Sequence, residues 1–143
     1  MRLLISLILL ISSTNLFAPK FYKQFELPWP IENPRVTQDF KGNNHDGLDM
    51  ISLSSKEVKS IENCTVVLII KNGIDTPKII CKNELFEYHF LHVSPLVKLN
   101  DEIKSGQLIA YYNNEGNSKG NHLHFVMVNN FTKELLNPII YLK

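Results

Sequence analysis

Residues 65–93, TVVLIIKNGIDTPKIICKNELFEYHFLHV, contain three apolar runs that are rich in β-branched and aromatic residues. The runs are residues 65–71, 78–82 and 85–93, and the dipeptide Asn72-Gly73 between the first two is a common hairpin turn. Short runs of this composition, bounded by turn-forming residues, are typical of β-strands. This stretch therefore predicts consecutive strands, of which the first two form a hairpin.

Two further apolar runs follow, LIAYY at residues 108–112 and HLHFVMV at residues 122–128, with a turn-rich segment between them. Outside the N-terminus, no run longer than about eight residues has the helical 3.6-residue period. Strands at this spacing predict a mostly β fold, a compact antiparallel β-sheet sandwich or open barrel. The length of 143 residues predicts one domain and excludes multi-domain enzymes and folds as large as a β/α barrel.

The composition is that of a folded protein with nearly balanced charge. Hydrophobic residues make up 44% of the chain and charged residues 20%, which argues against disorder. The 15 Lys and Arg residues against 14 Asp and Glu residues give a formal net charge of +1. This balance argues against broad electrostatic binding to nucleic acid or to an anionic membrane surface.

The N-terminal 18 residues, MRLLISLILLISSTNLFA, have the layout of a secretory signal, with one Arg, an apolar segment and a short polar segment. The apolar segment is shorter than the ~20 residues that a membrane-spanning helix needs. Ala18 is the natural cleavage position, but Pro19 would hinder cleavage, so an uncleaved anchor and a buried helix are the alternatives. We expect export to the periplasm, cell envelope or medium, with membrane contact only through residues 1–18 if they are retained.

The rest of the chain divides into a lead-in and a domain. Residues 19–34 hold four of the seven prolines and are expected to form an extended segment. Residues 35–143 form the predicted domain, which we expect to be monomeric.

The chain has two cysteines, Cys64 and Cys81, and a hairpin turning at residues 72–73 would place them on paired strands. A disulfide could then form in an oxidising compartment. The alternative is a pair of small buried thiols. We favour the thiols, because Pro77 and the loose segment 71–78 make the strand register uncertain.

Two short motifs place histidines and an aspartate at alternating positions. In His45-Asp-Gly-Leu-Asp49, an extended backbone would turn His45 and Asp49 to the same side, and Gly47 would leave an open space between them that fits a metal ion. The alternative for this pentapeptide is a solvated polar turn. In His122-Leu-His124, both imidazoles share one face of an apolar strand.

Burying His122 and His124 without partners would cost several kcal/mol, so a metal ion is the favoured explanation and two hydrogen-bonded core histidines are the alternative. His92, at the end of the aromatic run, is evidence for a metal site only in combination with the other two motifs. Three protein ligands with an open fourth position are the pattern of a catalytic zinc. The remaining histidines would orient a water activated by zinc, accept its proton or stabilise a developing oxyanion.

In this order, the motifs resemble those of the lysostaphin- and LytM-like zinc metallopeptidases, family M23. The family patterns H-x(3)-D, His before Leu/Val-Ser, and H-x-H stand here as His45-Asp-Gly-Leu-Asp49, His92-Val-Ser94 and His122-Leu-His124. Residues 103–110 resemble the family segment V-x-x-G-Q-x-I-G, and residues 116–125 resemble its signature G-N-S-x-G-x-H-L-H-F.

The resemblance covers about residues 28–142 and implies a compact LytM-like β-domain that binds one zinc ion. The implied zinc ligands are His45, Asp49 and His124. The implied catalytic residues, acting around the water and the scissile carbonyl, are His92 and His122. The implied substrate is a peptide bond in the stem peptide or cross-bridge of bacterial peptidoglycan.

Departures from the family pattern lie outside the proposed ligands. The segment between Phe40 and His45 is very short, and Cys64 stands where a glycine is usual. These departures affect groove shape and loop geometry rather than the metal.

One alternative is a non-catalytic wall-binding or amidase-activating domain on the same fold. Another hypothesis is that residues 19–34 block the site, with Asn33 or another polar side chain of this segment in the fourth metal position.

Overall fold

The computed structural model describes residues 25–71 and 75–143. The predicted signal or anchor at residues 1–18 and the predicted turn at residues 72–73 lie outside the described residues. Within the described residues, no helix has the length and apolar character needed to cross a membrane. The strands are β1 (Pro34–Gln38), β2 (Leu48–Ser52), β3 (Glu57–Lys59), β4 (Cys64–Ile70), β5 (Lys78–Lys82), β6 (Phe86–Leu91), β7 (Val93–Pro95), β8 (Glu102–Ile103), β9 (Leu108–Tyr112), β10 (Leu123–Asn129) and β11 (Leu135–Leu136).

The larger sheet has the order β1-β2-β10-β6-β5-β4-β8, and β11 pairs with β10 beside this path. Strand β10 is buried along its whole length, between β2 on one side and β6 on the other. Strand β6 alternates between buried and half-buried residues, because one face packs on the core and the other is partly open to solvent. The central position of β10 brings residues from the first and second halves of the chain together.

A smaller antiparallel sheet has the order β3-β9-β7. Buried side chains from both sheets belong to one hydrophobic cluster. Its largest fully buried members include Tyr88, Phe86, Phe90 and Phe125. The described sheets are antiparallel and are not closed into a barrel, which confirms the prediction of a mostly β, antiparallel fold.

The described part of the lead-in packs against the C-terminal end of the chain. Leu27 forms a parallel bridge with Leu142 and is buried. The side-chain amide of Asn33 donates a hydrogen bond to Ser54 Oγ at 3.4 Å, and Asn33 is not among the residues that line the candidate site. The hypothesis that Asn33 supplies a fourth metal ligand is therefore wrong.

The predicted strand at residues 85–93 is interrupted at His92, which lies between β6 and β7. The φ angle of His92 is 59°, in the left-handed region that residues other than glycine rarely adopt. Its N–H donates to the carbonyl of Pro77 at 2.9 Å, and its carbonyl accepts from the N–H of Asn113 at 2.7 Å. The chain thus passes from the larger sheet to the smaller one at His92, so the expectation of one continuous strand is wrong.

Cys64 and Cys81 form a disulfide bond, so the expectation of two free thiols is wrong. The pairing of β4 with β5 sets Cys81 opposite Val66, with a bulge between Val66 and Leu68. The two cysteines are therefore diagonal neighbours, and their Cα atoms are 5.6 Å apart. The midpoint of the hairpin does not predict this register, because the bulge adds a residue to β4.

Reduction of the disulfide is expected to lower the free energy of unfolding by about 3 kcal/mol, because the bond closes a loop between residues 17 positions apart in the unfolded chain. Urea unfolding with and without a reductant measures this difference. The Cys64→Ala/Cys81→Ala double variant is the control, since its unfolding does not respond to the reductant. Equal unfolding midpoints for the oxidised and the fully reduced protein would contradict the prediction.

Gly47 is required for a reason other than the one that its motif suggests. A Cβ atom at this position would lie 2.3 Å from the carbonyl oxygen of Phe125 on the neighbouring strand. The missing side chain therefore makes room for the backbone of β10 rather than for a metal ion, and the expectation of an open space at Gly47 is wrong. The start of β2 runs closely against β10, where Leu48 pairs with Phe125.

Gly47→Ala is expected to lower the free energy of unfolding by about 1–3 kcal/mol or more, where ~1–3 kcal/mol is the usual cost of overpacking. The cost is at the high end because the clashing atom, the carbonyl oxygen of Phe125, belongs to a paired backbone that cannot easily move. Urea unfolding measures the effect. Gly120→Ala is the matched control, since a Cβ there meets nothing within 4 Å. The prediction fails if the two variants are equally stable.

Candidate metal centre and active site

The predicted site residues meet where β2, β10 and the end of β6 lie side by side. The register of β2 and β10 sets Asp49 directly beside His124. His45 precedes β2, His122 precedes β10 and His92 follows β6, so these residues reach the same place from the ends of three strands. All five side chains line one groove.

Three of these residues each present a ligand atom, and the three atoms lie within 4.8 Å of one another: His45, Asp49 and His124. Asp49 Oδ1 is 3.3 Å from His45 Nε2 and 2.7 Å from His124 Nδ1. The three side chains are between 10% and 15% exposed, so the cluster is shielded but reachable from the groove. Two imidazole nitrogens and one carboxylate oxygen form a donor set that fits zinc and leaves a fourth position for water or substrate.

The second ring nitrogen of each histidine in this cluster has its own hydrogen-bond partner. His45 Nδ1 donates to the main-chain oxygen of Asp39 at 2.7 Å, which turns His45 Nε2 toward the cluster. His124 Nε2 lies 2.8 Å from Asp46 Oδ1. Such outer partners fix the ring orientation and the tautomer of a ligand histidine.

His92 and His122 lie beside the cluster, with ring centres 4.6 Å apart. Nδ1 of His92 donates to the main-chain oxygen of Glu115 at 2.7 Å, and Nδ1 of His122 donates to that of Gly120 at 2.9 Å. Both acceptors belong to the loop between β9 and β10, which therefore orients both rings and leaves their Nε2 atoms for the groove. His122 Nε2 is 3.5 Å from Asp49 Oδ1.

The loop between β9 and β10 is in close contact with the segment that precedes β5. Gly116 has a φ angle of 79°, and a Cβ atom there would lie 2.8 Å from Thr76. Thr76 and the loop together form part of the groove wall, and the groove has a volume of about 450 Å³. This size is typical of sites that bind small ligands.

The charges in the cluster favour a cation at its centre. Burial alone would raise the pKa of Asp49, but the hydrogen bond from His124 and the neighbouring histidines outweigh burial and hold this pKa below its usual value. Burial alone would lower the pKa of His124, but Asp49 and Asp46 outweigh it and hold this pKa above its usual value. Burial lowers the pKa of His92 below its usual value, which favours the neutral imidazole.

The sequence indicated a turn-rich segment between the runs at residues 108–112 and 122–128, but it did not predict the main-chain oxygens by which this loop holds His92 and His122. It also missed Asp46, which lies inside the quoted motif of residues 45–49. The signal that could have found it is an acidic residue next to a candidate ligand. The fifth histidine, His89, lies outside the cluster, with its Nε2 atom 3.4 Å from Glu87 Oε2.

An antiparallel β-domain in which two histidines and an aspartate present metal ligands, with two more imidazoles beside them, defines a candidate metallohydrolase. The sequence profile of peptidase family M23 matches residues 43–138. The chain belongs to peptidase family M23, and the resemblance seen in its motifs is confirmed. No curated protein sequence matches the chain significantly.

Solved structures of low sequence identity share this fold. A zinc-containing peptidase from Vibrio cholerae matches with a TM-score of 0.70 and 21% identity, over 78% of this chain and 39% of that chain. The antimicrobial peptidase lysostaphin from Staphylococcus simulans matches with a TM-score of 0.59 and 20% identity, over 83% and 49%. A chain of the SpoIIQ–SpoIIIAH pore-forming complex matches with a TM-score of 0.69 and 18% identity, over 83% and 92%. The present chain thus spans about two fifths and about half of the two peptidases.

Proposed function

We propose that this chain is an exported, zinc-dependent endopeptidase that hydrolyses peptide bonds in the stem peptide or cross-bridge of bacterial peptidoglycan. The observation that carries the proposal is the convergence of five side chains on one groove. Three of them present ligand atoms for one zinc ion: His45, Asp49 and His124. The other two are imidazoles oriented by main-chain acceptors: His92 and His122.

When bound, a zinc ion supplies a Lewis acid that activates water and polarises a carbonyl group. The protein supplies proton transfer and hydrogen bonding beside it. Because Nδ1 of His92 and of His122 each donates to a main-chain oxygen, Nε2 is the nitrogen that is left to exchange a proton with a reacting group. In the neutral form, Nε2 can accept a proton. In the protonated form, it can donate one to an oxyanion or to the leaving amine.

Family membership and the two similar peptidases support a peptide bond as the substrate. The near-neutral charge of the chain supports a partner other than nucleic acid. Peptidoglycan contains peptide bonds and lies where an exported enzyme can reach them, so it is the proposed substrate. The proposal places this protein at the wall as a monomer.

The disulfide between Cys64 and Cys81 supports export, because such bonds form and persist in oxidising compartments. The signal-like composition of residues 1–18 supports the same location. In this proposal the protein acts in the periplasm, the cell envelope or the medium.

A second candidate is a non-catalytic binding domain on the same fold, such as a wall-binding or amidase-activating domain. The match to a chain of the SpoIIQ–SpoIIIAH complex favours it, because that assembly is described as a pore-forming complex rather than as a peptidase. The present chain covers 92% of that chain. The five-residue arrangement favours catalysis instead, because a binding domain does not need three metal ligands and two oriented imidazoles.

The test is digestion of purified cell-wall sacculi of several chemotypes by the zinc-loaded protein. We expect the release of new amino groups, loss of that release on chelation and its return when zinc is added. Mass spectrometry of digested muropeptides of defined structure then identifies the cleaved bond. The control is His89→Ala, which alters the histidine outside the cluster. Wall binding without amino-group release from any chemotype would overturn the proposal and support the binding domain.

A further inference from the structure

We infer that Asp46 is a positioning residue, whose carboxylate holds the imidazole of His124 in the tautomer and orientation that bind the metal. Asp46 Oδ1 lies 2.8 Å from His124 Nε2, and the side chain of His124 is 10% exposed. The inference rests on the proposed function for the identity of the metal, whereas the contact itself is a feature of the fold.

The two ring nitrogens of His124 have separate partners. Nδ1 lies 2.7 Å from Asp49 Oδ1, inside the ligand cluster, and Nε2 lies against Asp46. A neutral imidazole carries one N–H, so a proton held on Nε2 by Asp46 leaves the lone pair of Nδ1 for a metal ion. Asp46 is not among the residues whose ligand atoms converge, which separates its role from that of Asp49.

The two ligand histidines are held by acceptors of different strength. His45 donates from Nδ1 to a main-chain oxygen, that of Asp39, which is a neutral acceptor. His124 faces the carboxylate of Asp46, and hydrogen bonds to an ionised acceptor are roughly twice as strong as neutral ones. A carboxylate partner also raises the basicity of the ligand nitrogen across the ring. His124 is therefore the ligand whose metal affinity depends more on its outer partner.

The close approach at Gly47 explains how Asp46 reaches His124. A Cβ atom on Gly47 would lie 2.3 Å from the carbonyl oxygen of Phe125, so the chain here runs tightly against β10. Asp46 precedes Gly47 and His124 precedes Phe125, and this approach brings the two side chains together. The pentapeptide 45–49 thus supplies two ligands and the outer partner of the third.

The test is the zinc affinity of Asp46→Asn, measured by competition with a chromophoric chelator. This variant keeps the size of the side chain but removes its charge. We expect a 10–100-fold loss of affinity, about the usual effect of losing an outer partner, and toward the lower end because Asp46 is 52% exposed. Asp46→Glu is expected to restore part of the loss. Asp75→Asn, which removes an exposed carboxylate next to Thr76 in the groove wall, is expected to leave the affinity unchanged.

Nitrogen-15 NMR of the zinc-loaded protein gives a second readout. We expect the wild type to show His124 protonated at Nε2, and Asp46→Asn to shift that resonance. Wild-type affinity and an unshifted His124 resonance in Asp46→Asn would overturn the inference. A wild type that binds no zinc would overturn it together with the proposed function. A wild type that binds zinc but cleaves no wall, with weakened binding in Asp46→Asn, would overturn the proposed function and uphold the inference.

Discussion

Replacing His122 by alanine is expected to lower the rate of peptide-bond hydrolysis by ~10²–10⁴-fold, the usual contribution of a positioned acid or base. Zinc binding is expected to persist, because the ligand atoms converge without His122. The ring is held at Nδ1 by the carbonyl of Gly120, which leaves its Nε2 atom for the groove, and His122 is not a member of the group whose ligand atoms converge. The expected result is a folded, zinc-loaded and nearly inactive protein.

The measurement pairs the kcat on a defined muropeptide with the zinc content of the same sample. His92→Ala is expected to behave in the same way, and the double variant to lose little more than either single one, because residues that act as a unit are not additive. His89→Ala is the matched control and keeps both activity and zinc. Loss of zinc together with activity in His122→Ala would identify His122 as a ligand and contradict its assignment.

Asp49→Ala is expected to lower zinc affinity by more than the ~100-fold that marks the upper range for an outer partner, because Asp49 is itself a proposed ligand. Its Oδ1 atom lies between 2.7 and 3.5 Å from a ring nitrogen of three histidines: His45, His122 and His124. Alanine would leave these imidazoles without the carboxylate that attracts a cation. Removing that carboxylate is also expected to lower the pKa of His124, which Asp49 helps to hold above its usual value.

Wall hydrolysis by Asp49→Ala is expected to fall to the level of the chelated wild type. Chelator competition gives the affinity, and elemental analysis after dialysis gives the zinc content. Asp75→Asn, which also removes one carboxylate near the groove, is expected to bind zinc as the wild type does. An Asp49→Ala protein that retains wild-type zinc affinity would refute the proposed ligand set.

Features that depend on neighbouring residues could be predicted from the sequence. An extended chain turns every second side chain to the same side, whichever strand it pairs with. His122 and His124 therefore share the groove, as their spacing indicates. The β-branched and aromatic runs likewise predicted antiparallel strands, since these residues suit a pleated surface with one buried face.

Three of the four shortest described strands could not be predicted in this way. β3, β8 and β11 have three, two and two residues, too few to show an alternating pattern. Each is defined by pairing with a longer strand, namely β9, β4 and β10. Their positions follow from the longer strands with which they pair rather than from their own composition.

Contacts between distant segments were decided only by the tertiary structure. The hydrogen bond from His124 to Asp46 joins residues 78 positions apart, and the disulfide depends on a bulge in β4. The left-handed backbone of His92 is held by hydrogen bonds with Pro77 and Asn113. These features follow from strand register, and a shift of one residue would turn every side chain of a strand to the other face. Register is set by the packing of the whole core, which no short motif contains.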